Sequence, residues 1–295
     1  RMSQTSRLRS GVAPRFDSFV EMPVGVVEEM TSEQDHARTT SALADLGELL
    51  VRLLHIRTLP VGMKLFEDVE EMRRIPGLRT PPVNKTFTTC QLVTQSRVGG
   101  LTLCITGDKL LPGSNCGAVP GIASLGEHYT SGEKMARVWF KDKHGAALHQ
   151  TQMPRVPCGR FRGLAVSPLR TSRLDPPDIV LFYANPAQMI LFINGLQWDQ
   201  YKRFEFSVTG ESACAASWGR ALSTREPSLS IPCYGERRYG GVADDEMLMA
   251  LPPSDFAKGI SGLQALHKNG LRYPIMPYSA SADPTEGLTY SYGKA

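Results

Sequence analysis

Twice in this chain, about a hundred positions apart, a helix and a strand are followed by another helix and strand ending in Thr-Gly near a cysteine set among small residues. The first ending leads into GSNCGAVPG at 113–121 and the second into GESACAASWGR at 210–220. Helical and strand periods alternating in this way confine the chain to a mixed α/β (α+β) class, because each amphipathic element must bury one face against another layer. The repetition predicts two similar lobes, an internal duplication of helix-strand-helix-strand units about a pseudo-twofold axis, each lobe supplying one cysteine loop.

The elements read as follows. Leu43, Leu46, Leu49, Leu50, Leu53 and Leu54 recur at three and four, which predicts a helix over 39–57 with Thr39, Thr40 or Ser41 as cap. Val61, Met63 and Leu65 alternate as in a strand, and a polar Glu/Arg segment follows to Arg79. TTCQLVTQSRVGG reads as a helix stopped by Gly99-Gly100, and LTLCITG as the next strand. In the second half PDIVLFYAN reads as a strand, NPAQMILFINGLQW as a helix capped by Asn185, and RFEFSVTG as a strand answering to LTLCITG. A strand from Glu246 to Leu251 and a helix from Ser254 to Lys268 close the folded part. The expected organisation is an N-terminal arm over 1–38, a first lobe over 39–165, a second over 166–268 and an extended tail over 269–295. Tyr273, Ile275, Met276 and Tyr278 suit docking on a neighbour, so the arm and tail point to a homo-oligomer.

Bulk properties narrow the function. Lys and Arg number 33 against 29 acids, a diffuse +4 that gives no footprint for nucleic acid. The longest apolar stretches, Ile179 to Ala184 and Met189 to Ile193, are far short of the roughly 18 residues a membrane span needs. RMSQTSRLRSGV carries no apolar core after its cationic residues, so no secretory signal is visible and the expected location is the cytoplasm. Six cysteines are too few for a disulfide framework and stay reduced there.

Cys90, Cys116, Cys214 and Cys233 stand out because they sit at a helix start or in small-residue loops from both halves. Four converging thiolates would hold a zinc ion or an iron-sulfur cluster. A substrate-facing thiol or plain packing of small hydrophobes fits the same residues. No C-x-x-C pair occurs. Cys104 alternates with strand residues and reads as core, and Cys158 reads as a loop thiol. Gly113 and Gly117 around Cys116 offer unencumbered amides, and Arg237 and Arg238 in CYGERRYGG suit a small anionic organic molecule. Glu236 pairing with one of them is the plainer alternative. His128 is the histidine placed to act as acid or base; His144 and His149, in KDKHGAALHQ, fall in an expected loop or hairpin. No dinucleotide, phosphate-loop, serine-elbow or zinc-helix motif is present.

PVGMKLF after the leucine-rich helix, the Cys90 helix, NCGA, PDIVLFYANPAQM, ACAASWGRAL, IPCYGERRYGG and DDEMLMALP resemble, in this order over residues 43–266, the domain of unknown function 169 family. The resemblance implies a prokaryotic soluble α/β protein in which Cys90, Cys116, Cys214, Cys233 and Arg237 are the marked positions, and it implies no substrate.

Three functions follow as expectations. One is a cytoplasmic enzyme or redox protein, a metal- or iron-sulfur-dependent oxidoreductase or lyase, whose inter-lobe cleft holds a thiolate-bound metal while arginines orient an anionic substrate. Another is a metal-free cleft for a carboxylate or acyl-thioester ligand. The third is an assembly protein joined through its arms.

Overall fold

The computed structural model describes residues 33–80, 88–106, 132–133, 135–157, 159–171, 173–174 and 176–276. Among the described residues there are eight α-helices and six strands: α1 (Glu33–Leu54), β1 (Val61–Phe66), α2 (Val69–Arg73), α3 (Thr89–Gly99), β2 (Leu103–Thr106), α4 (Lys143–Gln152), β3 (Gly163–Pro168), β4 (Ile179–Ala184), α5 (Pro186–Leu196), α6 (Arg220–Thr224), β5 (Ser228–Ser230), α7 (Tyr234–Gly240), β6 (Met247–Leu251) and α8 (Pro253–Lys268). A π-helical turn, Ala215–Gly219, leads into α6. None of the described helices is long and apolar enough to cross a membrane. The mixed helix-and-strand class read from the sequence is what the chain forms.

Local chemistry fixes the helix ends. Thr88 heads α3 in a capping box with Gln91, and Gly100 ends it at φ 68°, the left-handed conformation glycine adopts without steric cost. Asn185 caps α5 through Gln188, with Pro186 at its first position.

The six strands form one antiparallel sheet in the order β2-β3-β1-β4-β6-β5. Strand β1 pairs with β4 through Val61↔Leu181, Gly62↔Val180 and Met63↔Ile179, so strands from both halves share one layer. The boundary expected at residue 165 falls inside β3. One face carries Met63, Leu103, Val166, Leu181, Tyr183 and Leu248 and is covered by α3, the π turn and residues around Met153 and Val156. The other carries Val180, Phe182, Met249 and Leu251 under α1, α5 and α8, with α2 beside it over Phe66, Cys104 and Ala165.

Two expectations are corrected. Residues 203–210 form no strand. Each interior strand already has two neighbours, and Phe204 and Phe206 stack on each other (ring centroids 6.0 Å apart) instead of entering a ladder. Residues 141–150 belong largely to α4 and not to a loop, because Asp142 accepts the Gly145 N–H at 2.9 Å and Ala146 and Gln150, one turn apart, are both buried.

The duplicated helix-strand-helix-strand unit is not confirmed. What repeats is the strand order, which reads outward from the β1/β4 pair as β3 then β2 on one side and β6 then β5 on the other. On that scheme the helix starting at Cys90 precedes β2 and the one starting at Cys214 precedes β5. Cys116, which the Thr-Gly repeat set against Cys214, lies outside the described residues.

Helices α5 and α8 cross at glycines. A Cβ on Gly262 would run into the Gly195 carbonyl, and one on Gly195 would stand 2.5 Å from the Gly259 carbonyl oxygen. Gly262→Ala is expected to force the pair apart and cost about 1–3 kcal/mol, read as a lower urea midpoint at unchanged m-value; an unchanged midpoint would show that the crossing yields freely.

Candidate functional site

The apolar face under α3, the π turn and α7 contains an island of polar groups. Its centre is Tyr183, the one polar side chain in the strand IVLFYA, and 2% exposed. Arg97, from the last turn of α3, lies over the tyrosine ring at 3.9 Å. Its Nη1 donates to both Glu246 carboxylate oxygens at 3.2 Å and to Thr58 Oγ1 at 3.2 Å, and its Nη2 donates to the Gly241 carbonyl at 3.3 Å. Arg97 and Glu246 are 2% and 6% exposed, so this is a buried ion pair joining α3 to the segment ahead of β6.

Cys233 and Glu236 come from the start of α7. The Cys233 N–H donates to Glu236 Oε2 at 3.0 Å, while its sulfur takes the Glu236 N–H, a capping box with a thiol in place of a hydroxyl. Glu236 Oε1 and the Tyr183 hydroxyl are buried without a hydrogen-bond partner. Burial raises the Glu236 carboxyl to about 7 against the opposing Cys233 hydrogen bonds, with Glu211 adding to the rise. Burial also pushes Tyr183 well above its ordinary value; Glu236, Cys90 and Cys214 add to this, and Arg97 opposes it. The Cys233 thiol goes up to about 12, again mainly by burial and then by Glu236. These groups at neutral pH are therefore hydrogen-bond donors or poised to become donors: a phenol, a thiol and a half-protonated carboxyl.

The structure brings Cys90, Cys214 and Cys233 to one side of the sheet. Cys90 Sγ lies 3.1 Å from Thr88 Oγ1, and Cys90 and Cys214 share the cluster containing Tyr183 and Trp218. Cys104 is buried on the opposite face, as expected of core, its thiol raised by burial to about 11. Gly113, Cys116, Gly117, His128 and Cys158 lie outside the described residues, as do 1–32 and 277–295 of the arm and tail. Arg237 donates to the Ala243 carbonyl and stands 4.0 Å from Asp244. Arg238 is on the surface, bonded to the Tyr234 hydroxyl at 3.0 Å and beside the Tyr239 ring. Both guanidiniums are bonded to groups other than Tyr183 and Glu236, although the charge of Arg237 still acts to lower Glu236. His149 packs on Phe140 at 5.0 Å and is lowered by burial. Among the described residues no three His, Cys, Asp or Glu side chains assemble into a group that could hold a metal ion, so the described thiols do not by themselves fit one.

Tyr183, Arg97 and Glu246 were not singled out in the sequence, and Glu236 entered only as a partner for one of the two arginines. Two signals were available: a lone tyrosine inside a fully apolar strand, and a glutamate three residues after Cys233 at the capping-box position. For Arg97 and Glu246, 149 residues apart, no local signal exists.

A family model described as Uncharacterised ArCR, the domain of unknown function 169, matches residues 49–262, which include all of these side chains. Uncharacterized protein MJ0308 of Methanocaldococcus jannaschii is 24% identical over 195 residues, 65% of this chain and 81% of that protein. No solved structure matches.

Because the folded-state pKa of Glu236, about 7, lies above its ordinary 4.5, the stability linked to its proton is fully present below about pH 4.5 and lost as pH rises through 7. Relative to Glu236→Gln, the wild-type chain is expected to lose stability between pH 5 and 8, up to about 3 kcal/mol, in urea denaturation at stepped pH. Parallel profiles for the two proteins would mean that the carboxyl is ionised throughout.

Proposed function

The chain belongs to the domain of unknown function 169 family, and from that premise we propose that it is a cytoplasmic protein that binds and polarises the carbonyl of an uncharged acyl thioester, with Tyr183 and Glu236 as its donors. The observation that carries this reading is the pair of buried, unpartnered atoms, Tyr183 Oη and Glu236 Oε1, whose residues lie close enough for the carboxylate charge to raise the phenol. Leaving such atoms unsatisfied costs about 1–3 kcal/mol each, a cost that a bound acceptor removes. A carbonyl oxygen has two lone pairs and accepts from both.

The electrostatics select the kind of acceptor. Tyr183 and protonated Glu236 are neutral donors in buried surroundings, where a carboxylate without an ion-pair partner is costly and a neutral carbonyl is not. Arg237 and Arg238 are committed elsewhere, which weighs against the anionic ligand expected from CYGERRYGG. A phenol and a protonated carboxyl in an apolar site strengthen their hydrogen bonds as negative charge develops on the oxygen. Acyl transfer and proton loss beside a carbonyl both pass through such an oxyanion. A cytoplasmic, reducing setting suits the buried thiols.

The convergence of Cys90 and Cys214 on Tyr183 favours one second reading, thiolate ligation of iron or zinc. Calorimetric titration of the anaerobically purified chain separates the two. S-acetylpantetheine is expected to bind one to one at pH 6, and about tenfold more weakly in Tyr183→Phe or at pH 8, where Glu236 is ionised. Absence of saturable binding at pH 6 overturns the proposal. Stoichiometric iron or zinc that disappears in Cys90→Ser and Cys214→Ser would assign the site to the metal.

A further inference from the structure

Two more donors are buried on the same face and take no part in the site described above. Trp218 Nε1 and Ser230 Oγ have no hydrogen-bond partner, and their residues are 0% and 1% exposed. The sheet register places one of them. Tyr183 faces Leu248 across the β4/β6 ladder, and Leu248 faces Ser230 across the β6/β5 ladder. All three therefore point to one face, and Ser230 stands two strand spacings, about 10 Å, from Tyr183.

Trp218 reaches that face through an unusual turn. The π-helical turn Ala215–Gly219 packs on both β5 and β6. A π turn carries one residue more per hydrogen-bonded ring than an α turn, re-aims the side chains around it and recurs at functional sites. Ahead of it Ser212 sits at φ 53°, a left-handed conformation disfavoured for a residue with a Cβ. Ala215, Ala216, Ser228 and Ala250, on the π turn and on the two strands it packs against, are all buried and all small. Nothing charged is contributed by the π turn, β5 or the facing positions of β6, so the donors here suit an uncharged acceptor.

We propose that Trp218 Nε1 and Ser230 Oγ form a second donor pair, which recognises an amide carbonyl about 10 Å from the acyl oxygen on the same ligand. The inference rests on the reading of Tyr183 and Glu236 and deepens it: the ligand is an acyl thioester whose thiol arm carries an amide. The first pair receives the reacting carbonyl and the second fixes how far along the face the arm extends.

Two thioesters test this on the full chain by calorimetry at pH 6: S-acetylpantetheine, whose arm carries amides, and S-hexyl thioacetate, whose arm is alkyl. Wild-type protein is expected to prefer S-acetylpantetheine by about tenfold or more, as loss of one or two buried hydrogen bonds requires. Trp218→Phe, which keeps the ring and removes the N–H, and Ser230→Ala, a smaller change that guards against misfolding of the first variant, should each reduce that preference severalfold. Tyr183→Phe should weaken both ligands and leave the preference intact. A wild-type protein without the preference, or variants that retain it, would overturn the second donor pair while the Tyr183→Phe result still judges the first. Failure of both thioesters to bind wild-type protein overturns both readings.

Discussion

The pairing of β1 with β4 is the contact on which the rest of the structure depends. It spans three residue pairs, Val61 to Leu181, Gly62 to Val180 and Met63 to Ile179, and it turns two runs of strands into one sheet. Gly62 lies at the join, where a Cβ would come within 2.9 Å of Pro177, so the close approach of the flanking segment requires glycine there. Because antiparallel neighbours share their faces, α3, which lies between β1 and β2, and the π turn, which lies between β4 and β5, end up covering the same side. Cys90 and Cys214, 124 positions apart, meet for that reason.

That shared side is largely apolar except around the candidate site. Arg97 and Glu246 are buried but pair with each other, with Thr58 and the Gly241 carbonyl taking further guanidinium hydrogens and only the Arg97 Nε left over, so the buried charge is compensated. Tyr183 and Glu236 are not satisfied in this way. Burial weakens both acids, and the Glu236 charge raises Tyr183 further, so the face keeps protons near neutral pH and presents donors where a core would present methyl groups. Donors held ready in a dry environment act on an incoming oxygen without first having to be reorganised, and that makes this side, and not the fully apolar face under α5 and α8, the place where chemistry is expected.

Much of the fold was legible because it is local. The α3 and α5 boundaries follow from Thr88, Gly100, Asn185 and Pro186, whose capping chemistry acts within four residues. The strands over Val61–Phe66, Ile179–Ala184 and Met247–Leu251 follow from alternating or continuous apolar runs. RFEFSVTG shows where this reasoning ends: its alternation is as good as that of β1, but a strand also needs a ladder partner, and it is β5 that pairs with β6 while Phe204 and Phe206 stack on each other. KDKHGAALHQ failed in the other direction, since a polar stretch read as a loop or hairpin is a helix that Asp142 caps and Ala146 and Gln150 bury.

For the candidate site, the sequence by itself determined which side chains exist at helix starts, Cys90 and Cys233 among them, and that the chain is a mixed helix-and-strand protein of its family. Only the tertiary structure decided which of them meet, that Arg237 and Arg238 point elsewhere while Arg97 enters the core, and that Tyr183 and Glu236 lack partners. The division has a physical cause. Capping and periodicity are energies between residues a few positions apart, whereas burial, desolvation and the absence of a hydrogen-bond partner depend on the sheet register, which closes over more than a hundred residues and leaves no mark in any short stretch of chain.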